Sequence, residues 1–172
     1  INAALTGHLL LSTLHTNDAA GALPRFISLG VKPFLLAPAL NAMIGQRLVR
    51  RVCDNCKEEV TIETEQLEFI KTNIAEVPEN SGEEIKAEAE WKFFKGKGCD
   101  TCNHTGYKGR VGIYEILIMS DEIKGALSEN ISEHEVRELA KKQGMVSMLQ
   151  DGVLKAIDGL TTVDEIMRVT KD

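Results

Sequence analysis

Apolar and polar residues follow one another in blocks near the start of the chain, and the blocks predict a strand followed by two helices. Residues 8–14 form a short continuous apolar run, which is typical of a strand buried on both faces of an α/β sheet. The polar residues 15–18 follow it and can cap a helix. Pro24 is expected to start or kink that helix, and Gly30 to end it. The apolar stretch 34–49 predicts a second helix.

The middle of the chain predicts one helix and two strands. Residues 63–74 predict the helix, and residues 91–94 predict a short strand. Residues 110–119 are rich in β-branched and aromatic side chains, which favours a longer strand. Together with the first strand, these elements predict an α/β fold.

The last third of the chain is predicted to be helical. One helix is expected to run through Ser128, and residues 145–157 place their apolar side chains along one helical face. Capping residues predict three helix starts, at Ser120, at Ser132 with Glu135, and at Thr162 with Glu165.

Composition narrows the class of protein. The chain has 172 residues and a net charge of −6, and none of its apolar runs approaches the roughly 20 residues needed to cross a bilayer. The acidic balance argues against nonspecific nucleic-acid binding. Residues 57–98 contain eleven Glu and six Lys, so this segment carries a net charge of −5. Because the chain starts at Ile1 without a Met, we expect a fragment of a longer protein.

The only four cysteines form two Cys-x-x-Cys pairs, Cys53 with Cys56 and Cys99 with Cys102. Two thiolates at this spacing can bind one metal ion from a single tight turn, and two such turns complete the tetrahedron of a structural zinc site. Two disulfides or a redox pair are the alternatives, although no secretory signal supports an oxidising compartment. We therefore expect zinc that stabilises structure, because four sulfurs leave no open position for water.

His15 is the better candidate for function among the histidines. It lies with Thr13 and Thr16 at the C-terminal end of the predicted strand, the end at which ligands bind in open α/β sheets. His8 lies seven residues earlier, so the two side chains would point to opposite faces of an extended strand. An ordinary role at the ends of a strand is the alternative for both.

Three further features leave the function open. His104 could replace a thiolate, although four cysteines already complete a tetrahedron. The basic cluster Arg47, Arg50 and Arg51 could be a solvated face, or it could meet a phosphate or an acidic neighbouring subunit. The chain contains no Gly-x-x-x-x-Gly-Lys-Ser/Thr phosphate loop, and no Ser or Thr follows Lys97.

Four blocks of sequence, in this order, resemble the assembly ATPases of bacterial type II secretion and type IV pili (the GspE/PilB group). The first, ALTGHLLLSTLHTND at 4–18, resembles the His box of that family. The second, GQRLVRRVC at 45–53, and the third, GCDTC at 98–102 with GYKGRVGIYE at 106–115, resemble the entry to and exit from its zinc subdomain. The fourth, GMVSMLQDG at 144–152 with GLTT at 159–162, resembles its C-terminal helical domain.

The resemblance implies a fold and a set of domains. Residues 1–51 would be the C-terminal part of a RecA-like ATPase domain, and residues 52–110 a tetracysteine zinc-binding subdomain. Residues 111–172 would form a returning strand and a C-terminal helical domain. The family's phosphate loop and acidic motifs lie N-terminal to its His box, so we expect this chain alone to be inactive.

The resemblance also implies roles for residues. His15, and less directly His8, would contact the γ-phosphate or the attacking water as catalytic residues. Thr13 and Thr16 would help to position that contact, and Arg47 would face the nucleotide.

The resemblance further implies ATP and Mg²⁺ as ligands of the parent protein, and a homo-hexamer as its assembly. Its partners would be an inner-membrane platform protein and cytoplasmic assembly proteins, with no nucleic acid. Its location would be cytoplasmic, peripheral to the inner membrane. The alternatives are a zinc-stabilised protein-interaction module with no nucleotide role and, less favoured because of the acidic balance, a zinc ribbon that contacts nucleic acid.

Overall fold

The computed structural model describes residues 1–127 and 130–170, which form a mixed helix and sheet structure. Its helices are α1 (Asn2–Leu5), α2 (Ala22–Ser28), α3 (Pro33–Ala39), α4 (Thr64–Ala75), α5 (Asp121–Ala126), α6 (Glu133–Lys142), α7 (Met148–Ile157) and α8 (Val163–Thr170). Its strands are β1 (Ala42–Val52), β2 (Lys57–Val60), β3 (Phe93–Gly96) and β4 (Tyr107–Ile118). Within the described ranges, no helix is both long and apolar enough to span a membrane.

The strands form two small sheets. Strand β1 pairs with β4, and β2 pairs with β3 in antiparallel register, with Lys57 opposite Gly96 and Val60 opposite Phe93. Backbone contacts divide the chain into two compact units, whose boundaries fall after Gly45 in β1, after Tyr114 in β4 and after Val146. The predicted division into three domains at residues 51 and 110 stays a prediction.

Unit 1 comprises residues 1–45 and 115–146. Helices α2, α3, α5 and α6 bury apolar side chains against the part of β4 that belongs to this unit, with a core that includes Leu23, Leu36, Leu117, Ile123 and Val136. Local signals set its helix ends. The Ser120 hydroxyl accepts a hydrogen bond from the Ile123 N–H, and Ser132 with Glu135 forms the predicted capping box of α6.

Unit 2 comprises residues 46–114 and 147–172, of which the structure describes those up to 170. Its core joins α4, α7 and α8 to the strands through Val49, Ile70, Ile113, Val153 and Ile166. The predicted helix at 63–74 is confirmed as α4, and the strand predicted at 110–119 as β4, which begins earlier. The short strand predicted at 91–94 lies two residues later, as β3.

The prediction of a buried strand at residues 8–14 is wrong for this structure. Residues 8–16 have no regular secondary structure, and the side chains of Leu9 and Leu11 are 87% and 94% exposed. A strand is stable when neighbouring strands satisfy its backbone groups, and none of the described strands pairs with this segment. The argument that His8 and His15 point to opposite faces therefore does not apply here.

The prediction of one helix over 34–49 is half wrong. Helix α3 ends at Ala39, and β1 starts at Ala42. Pro38 lies in the last turn of α3 and has no N–H to donate there. Pairing with β4 then outweighs the local helical preference of the following apolar residues.

The predicted end of α2 is confirmed, and the predicted end of α5 falls outside the described residues. Pro24 lies in the first turn of α2, and Gly30, at φ +89°, follows its end as predicted. Helix α5 ends at Ala126, and Ser128, where its end was predicted, lies outside the described residues.

Candidate metal centre and the His15 segment

Two tight turns in unit 2 carry the four cysteines. The Cys56 N–H donates to the Cys53 carbonyl at 3.2 Å, and the Cys102 N–H donates to the Cys99 carbonyl at 3.1 Å. The two turns are therefore built alike, and each directs a pair of sulfurs to the same side.

The four sulfurs converge on one point. All lie within 4.8 Å of one another, with 3.9 Å from Cys53 to Cys99, 3.9 Å from Cys56 to Cys102 and 3.8 Å from Cys99 to Cys102. A tetrahedron with zinc–sulfur bonds of about 2.3 Å has edges of about 3.8 Å. A disulfide would need about 2.05 Å, and all four cysteines are free. The sulfurs are thus placed to hold one metal ion, and the disulfide alternative is not what this structure contains.

Backbone N–H groups donate hydrogen bonds to two of the sulfurs. The Gly98 N–H donates to Cys56 Sγ, and the N–H groups of Cys99 and Gly106 donate to Cys102 Sγ, each at 3.3 Å. Desolvation raises the pKa of Cys102, but the hydrogen bonds from Cys99 and Gly106 outweigh it and lower that pKa to about 6. Desolvation raises the pKa of Cys56 to about 12. A bound cation would favour the thiolate form of all four residues.

Close packing of two glycines completes this centre. A Cβ atom on Gly96 would lie 2.0 Å from the carbonyl oxygen of Gly106, so only glycine fits at the end of β3. The same Gly106 carbonyl accepts a hydrogen bond from the Cys53 N–H at 3.0 Å. Gly106 therefore links both cysteine turns, through its carbonyl to Cys53 and through its N–H to Cys102.

His104 and the basic cluster have other partners in unit 2. His104 Nε2 lies 3.2 Å from Asp100 Oδ1, with its side chain 74% exposed. Arg47 donates to the Val169 carbonyl at 2.6 Å, Arg50 pairs with Glu165, and Arg51 pairs with Asp54. The predicted contact of Arg47 with a nucleotide stays a prediction.

Three of the predicted nucleotide-sensing residues, Thr13, His15 and Thr16, lie in unit 1, in a segment that we call the His15 segment (residues 13–18). Thr13 and His15 are exposed, and the Thr16 hydroxyl donates to the Asp18 carbonyl at 2.9 Å. His8, upstream and also exposed, has Nδ1 3.0 Å from the Thr6 hydroxyl and 3.2 Å from the Ala3 carbonyl. His15 and Thr16 are neighbours in the chain, so their proximity says nothing about a shared site, and the roles of these residues stay predictions.

Sequence reasoning missed several charged residues that form hydrogen bonds and ion pairs within each unit. In unit 1, Glu115 is 5% exposed and accepts a hydrogen bond from the Ala19 N–H. Arg137 donates a hydrogen bond to the neighbouring carboxylate of Asp18. In unit 2, Glu165 is fully buried between Arg50 and Arg168. These partners are 96 to 119 residues apart in the chain, except for Glu165 with Arg168, and no local pattern marks such pairs.

Known proteins with similar sequences cover the chain from end to end. A family model described as type II/IV secretion system protein matches residues 1–168. The type IV pilus assembly ATPase PilB of Thermus thermophilus is 43% identical over 168 residues, which are 98% of this chain and 18% of that protein. The type II secretion system protein HxcR of Pseudomonas aeruginosa is 40% identical over the whole chain and 30% of its own length.

A third relative is the type II secretion system ATPase E of Vibrio cholerae, which is 36% identical over the whole chain. This chain spans 31% of that protein, and between about a fifth and a third of each of the relatives described here. The relatives are named for secretion or for pilus assembly, and the resemblance noted from the four sequence blocks is confirmed by both kinds. Since the family model covers nearly every residue and the relatives align throughout, the chain belongs to the family of type II/IV secretion system proteins.

Proposed function

We propose that this chain is the C-terminal part of an ATPase that drives type II secretion or type IV pilus assembly. The observation that carries the proposal is the continuous match of residues 1–168 to the family, with relatives at 36–43% identity that are named as such ATPases or secretion proteins. In this proposal, residues 1–51 complete a RecA-like domain, and the parent protein binds ATP and Mg²⁺ mainly through groups that lie N-terminal to the His15 segment.

The four cysteines are proposed to hold one structural zinc ion. Three of the six sulfur separations are 3.8 to 3.9 Å and support this, because they match the edge of a zinc–thiolate tetrahedron. Zinc would join the two cysteine turns. With four sulfur ligands it would have no free coordination position for water or a substrate. Its effect would be to hold β3 and the ends of β1 and β4 in place.

His15 is proposed as the residue that reads the γ-phosphate or the attacking water, with His8 as a weaker candidate and with Thr13, Thr16 and Arg47 as supporting contacts. A hydrogen bond from a positioned side chain to transition-state charge accelerates phosphoryl transfer without any covalent step. The exposure of His15 supports this role, because its side chain is available to a ligand.

The parent protein is proposed to act as a homo-hexamer on the cytoplasmic face of the inner membrane. There it would bind a platform protein and cytoplasmic assembly proteins, with no nucleic acid, and ATP hydrolysis would drive the assembly of pilin or pseudopilin subunits. The alternative is a zinc-stabilised interaction module with no nucleotide role. The block at residues 4–18 disfavours that alternative, because it belongs to the region that matches the ATPases.

The test is steady-state release of phosphate from Mg-ATP by the complete protein that carries this chain and by this chain alone. We expect turnover by the complete protein and none by the chain alone, since the charge-stabilising groups of phosphoryl transfer lie elsewhere. Turnover by the chain alone that His15→Ala abolishes would contradict the proposed inactivity. A complete protein that neither binds nor hydrolyses ATP would instead favour the interaction module.

A further inference from the structure

A turn in unit 1, residues 18–21, starts at the last residue of the His15 segment and is fixed by three hydrogen bonds. The Ala19 N–H donates to Glu115 Oε1 at 2.9 Å, and the Gly21 N–H donates to Asp18 Oδ1 at 2.7 Å. The second carboxylate oxygen of Asp18 accepts a hydrogen bond from Arg137 at 2.5 Å. The turn thus connects the exposed His15 segment to α2, and these hydrogen bonds hold its backbone in place.

The carboxylate of Glu115 is costly to bury. It lies in β4 with 5% of the residue exposed, and a buried charge is tolerated only when hydrogen bonds and opposite charge compensate it. One hydrogen bond that compensates the buried charge comes from the N–H of Ala19, which lies 96 residues away in sequence. The arrangement therefore ties β4 to a backbone atom four residues after His15.

Arg137 makes the second contact that holds this turn. Its guanidinium bridges Asp18 to Glu133, and both Arg137 and Glu133 lie in α6. A Cβ atom on Gly21 would lie 3.2 Å from Asp18 Oδ1 and 3.3 Å from Glu133 Oε2, so the glycine lets these acidic groups approach the turn closely. The turn is held by β4 on one side and by α6 on another.

We propose that Glu115 and Arg137 are positioning residues for His15, an inference that rests on the proposed ATPase function. In this proposal they act through the turn at residues 18–21, which they bond directly, and not through contact with the nucleotide. His15 is exposed and its upstream neighbours have no regular structure, so the fixed turn is the anchor that sets where its imidazole can reach. A displacement of about 1 Å in such a group can lower a rate about a hundredfold.

The test compares Glu115→Leu, Glu115→Gln and Arg137→Met in the complete protein that carries this chain. Leucine cannot accept the Ala19 N–H, whereas the amide oxygen of glutamine can. We expect Glu115→Leu to lower kcat about ten- to a hundredfold with KM for ATP changed less than about twofold, because positioning acts mainly in the transition state. Glu115→Gln should keep most of the wild-type kcat. Arg137→Met should lower kcat less than Glu115→Leu does.

The control is Ile123→Val, which shortens a fully buried side chain of the same unit in α5. It should lower the melting temperature with kcat unchanged, and so separates lost stability from lost positioning. Hydrogen exchange of the peptide that contains Ala19 and Gly21 should become faster in Glu115→Leu and remain slow in Glu115→Gln.

Two results would overturn the inference and are distinguishable. If the wild-type protein hydrolyses ATP and Glu115→Leu keeps its kcat despite faster exchange of the turn, the hydrogen bond is only structural and the proposed function stands. If the wild-type protein neither binds nor hydrolyses ATP, the proposed function fails and the positioning role fails with it.

Discussion

Arg50 holds the buried carboxylate of Glu165 through both its backbone and its side chain. The Arg50 N–H donates to Glu165 Oε1 at 3.0 Å, while Nε and Nη2 donate to Oε2 at 3.0 and 2.6 Å. Arg168 bonds both carboxylate oxygens from within α8, and the Arg50 guanidinium stacks 4.2 Å from the centre of the Tyr107 ring. The strand that leads to Cys53 is therefore anchored to the last helix by one buried charge.

Replacing Glu165 with glutamine is expected to destabilise unit 2. Glutamine keeps the shape but leaves two guanidinium groups without their counter-charge, and removing one partner of a buried ion pair costs about 3–5 kcal/mol. The side chains of Arg50 and Arg168 are about half exposed, so we expect a smaller loss of about 2–3 kcal/mol. Urea denaturation in the presence of added zinc measures this loss. Glu59→Gln is the control, because it removes the exposed pair with Lys92 and should cost less than about 1 kcal/mol.

The same carboxylate gives a dependence of stability on pH. Burial raises the pKa of Glu165, but hydrogen bonds from Arg168 and Arg50 outweigh burial and lower it from 4.5 to about 2. Because the folded-state pKa is the lower one, its stabilising contribution is complete above about pH 4.5 and is lost as the pH falls towards 2. The difference between the stability curves of wild type and Glu165→Gln should shrink over that range. A difference that is independent of pH from 6 to 2 would contradict the lowered pKa.

Local signals predicted much of this fold, and long-range pairings account for the errors. The caps at Ser120 and Ser132 act within three residues, so the sequence reveals them. The turn within each cysteine pair was predictable from its spacing, and the convergence of the two pairs was predictable because one structural zinc ion takes four ligands. Strand β1 was mistaken for helix because its partner β4 lies more than 50 residues further along.

The last capping box shows the same limit. The Thr162 hydroxyl accepts the Glu165 N–H at 3.2 Å, as predicted, but the Glu165 carboxylate bonds Arg50, 115 residues away. The order of residues within α8 cannot reveal that second partner. The anchor of the His15 segment at Glu115 was hidden for the same reason.

Metal analysis tests the four-sulfur centre. Protein purified without chelator should contain about one zinc per chain, and its removal should unfold much of unit 2, because apparent binding energies of about 10–16 kcal/mol are coupled to folding at such sites. Elemental analysis and the melting temperature with and without chelator measure these effects. Cys102→Ser should reduce the zinc content, and His104→Ala should leave it unchanged, since His104 pairs with Asp100. A metal-free chain with an unchanged melting temperature would rule the centre out.

Under the proposed function, His15→Ala should lower ATP turnover by the complete protein that carries this chain about ten- to a hundredfold, the value of one hydrogen bond of roughly 1.5–3 kcal/mol to transition-state charge. The melting temperature should barely change, because the side chain is exposed and has little packing to lose. The matched control is His134→Ala, an exposed histidine of α6, which should retain full turnover. Normal turnover together with a large loss of stability in His15→Ala would show that the residue is structural.

A single methyl group at Gly96 should disrupt the metal centre. In Gly96→Ala the added Cβ would lie 2.0 Å from the Gly106 carbonyl oxygen, and backbone atoms on both sides would have to move. Gly106 bonds both Cys53 and Cys102, so that movement should spread the sulfurs and lower zinc affinity, with a cost of about 1–3 kcal/mol or more in stability. The control is Gly125→Ala in α5, where nothing lies within 4 Å and alanine should stabilise the helix by about 0.5–1 kcal/mol. Competition with a chromogenic chelator measures zinc affinity in both variants. Equal affinity in Gly96→Ala and wild type would show that the two cysteine turns tolerate separation, and that the glycine contact does not set the geometry of the sulfurs.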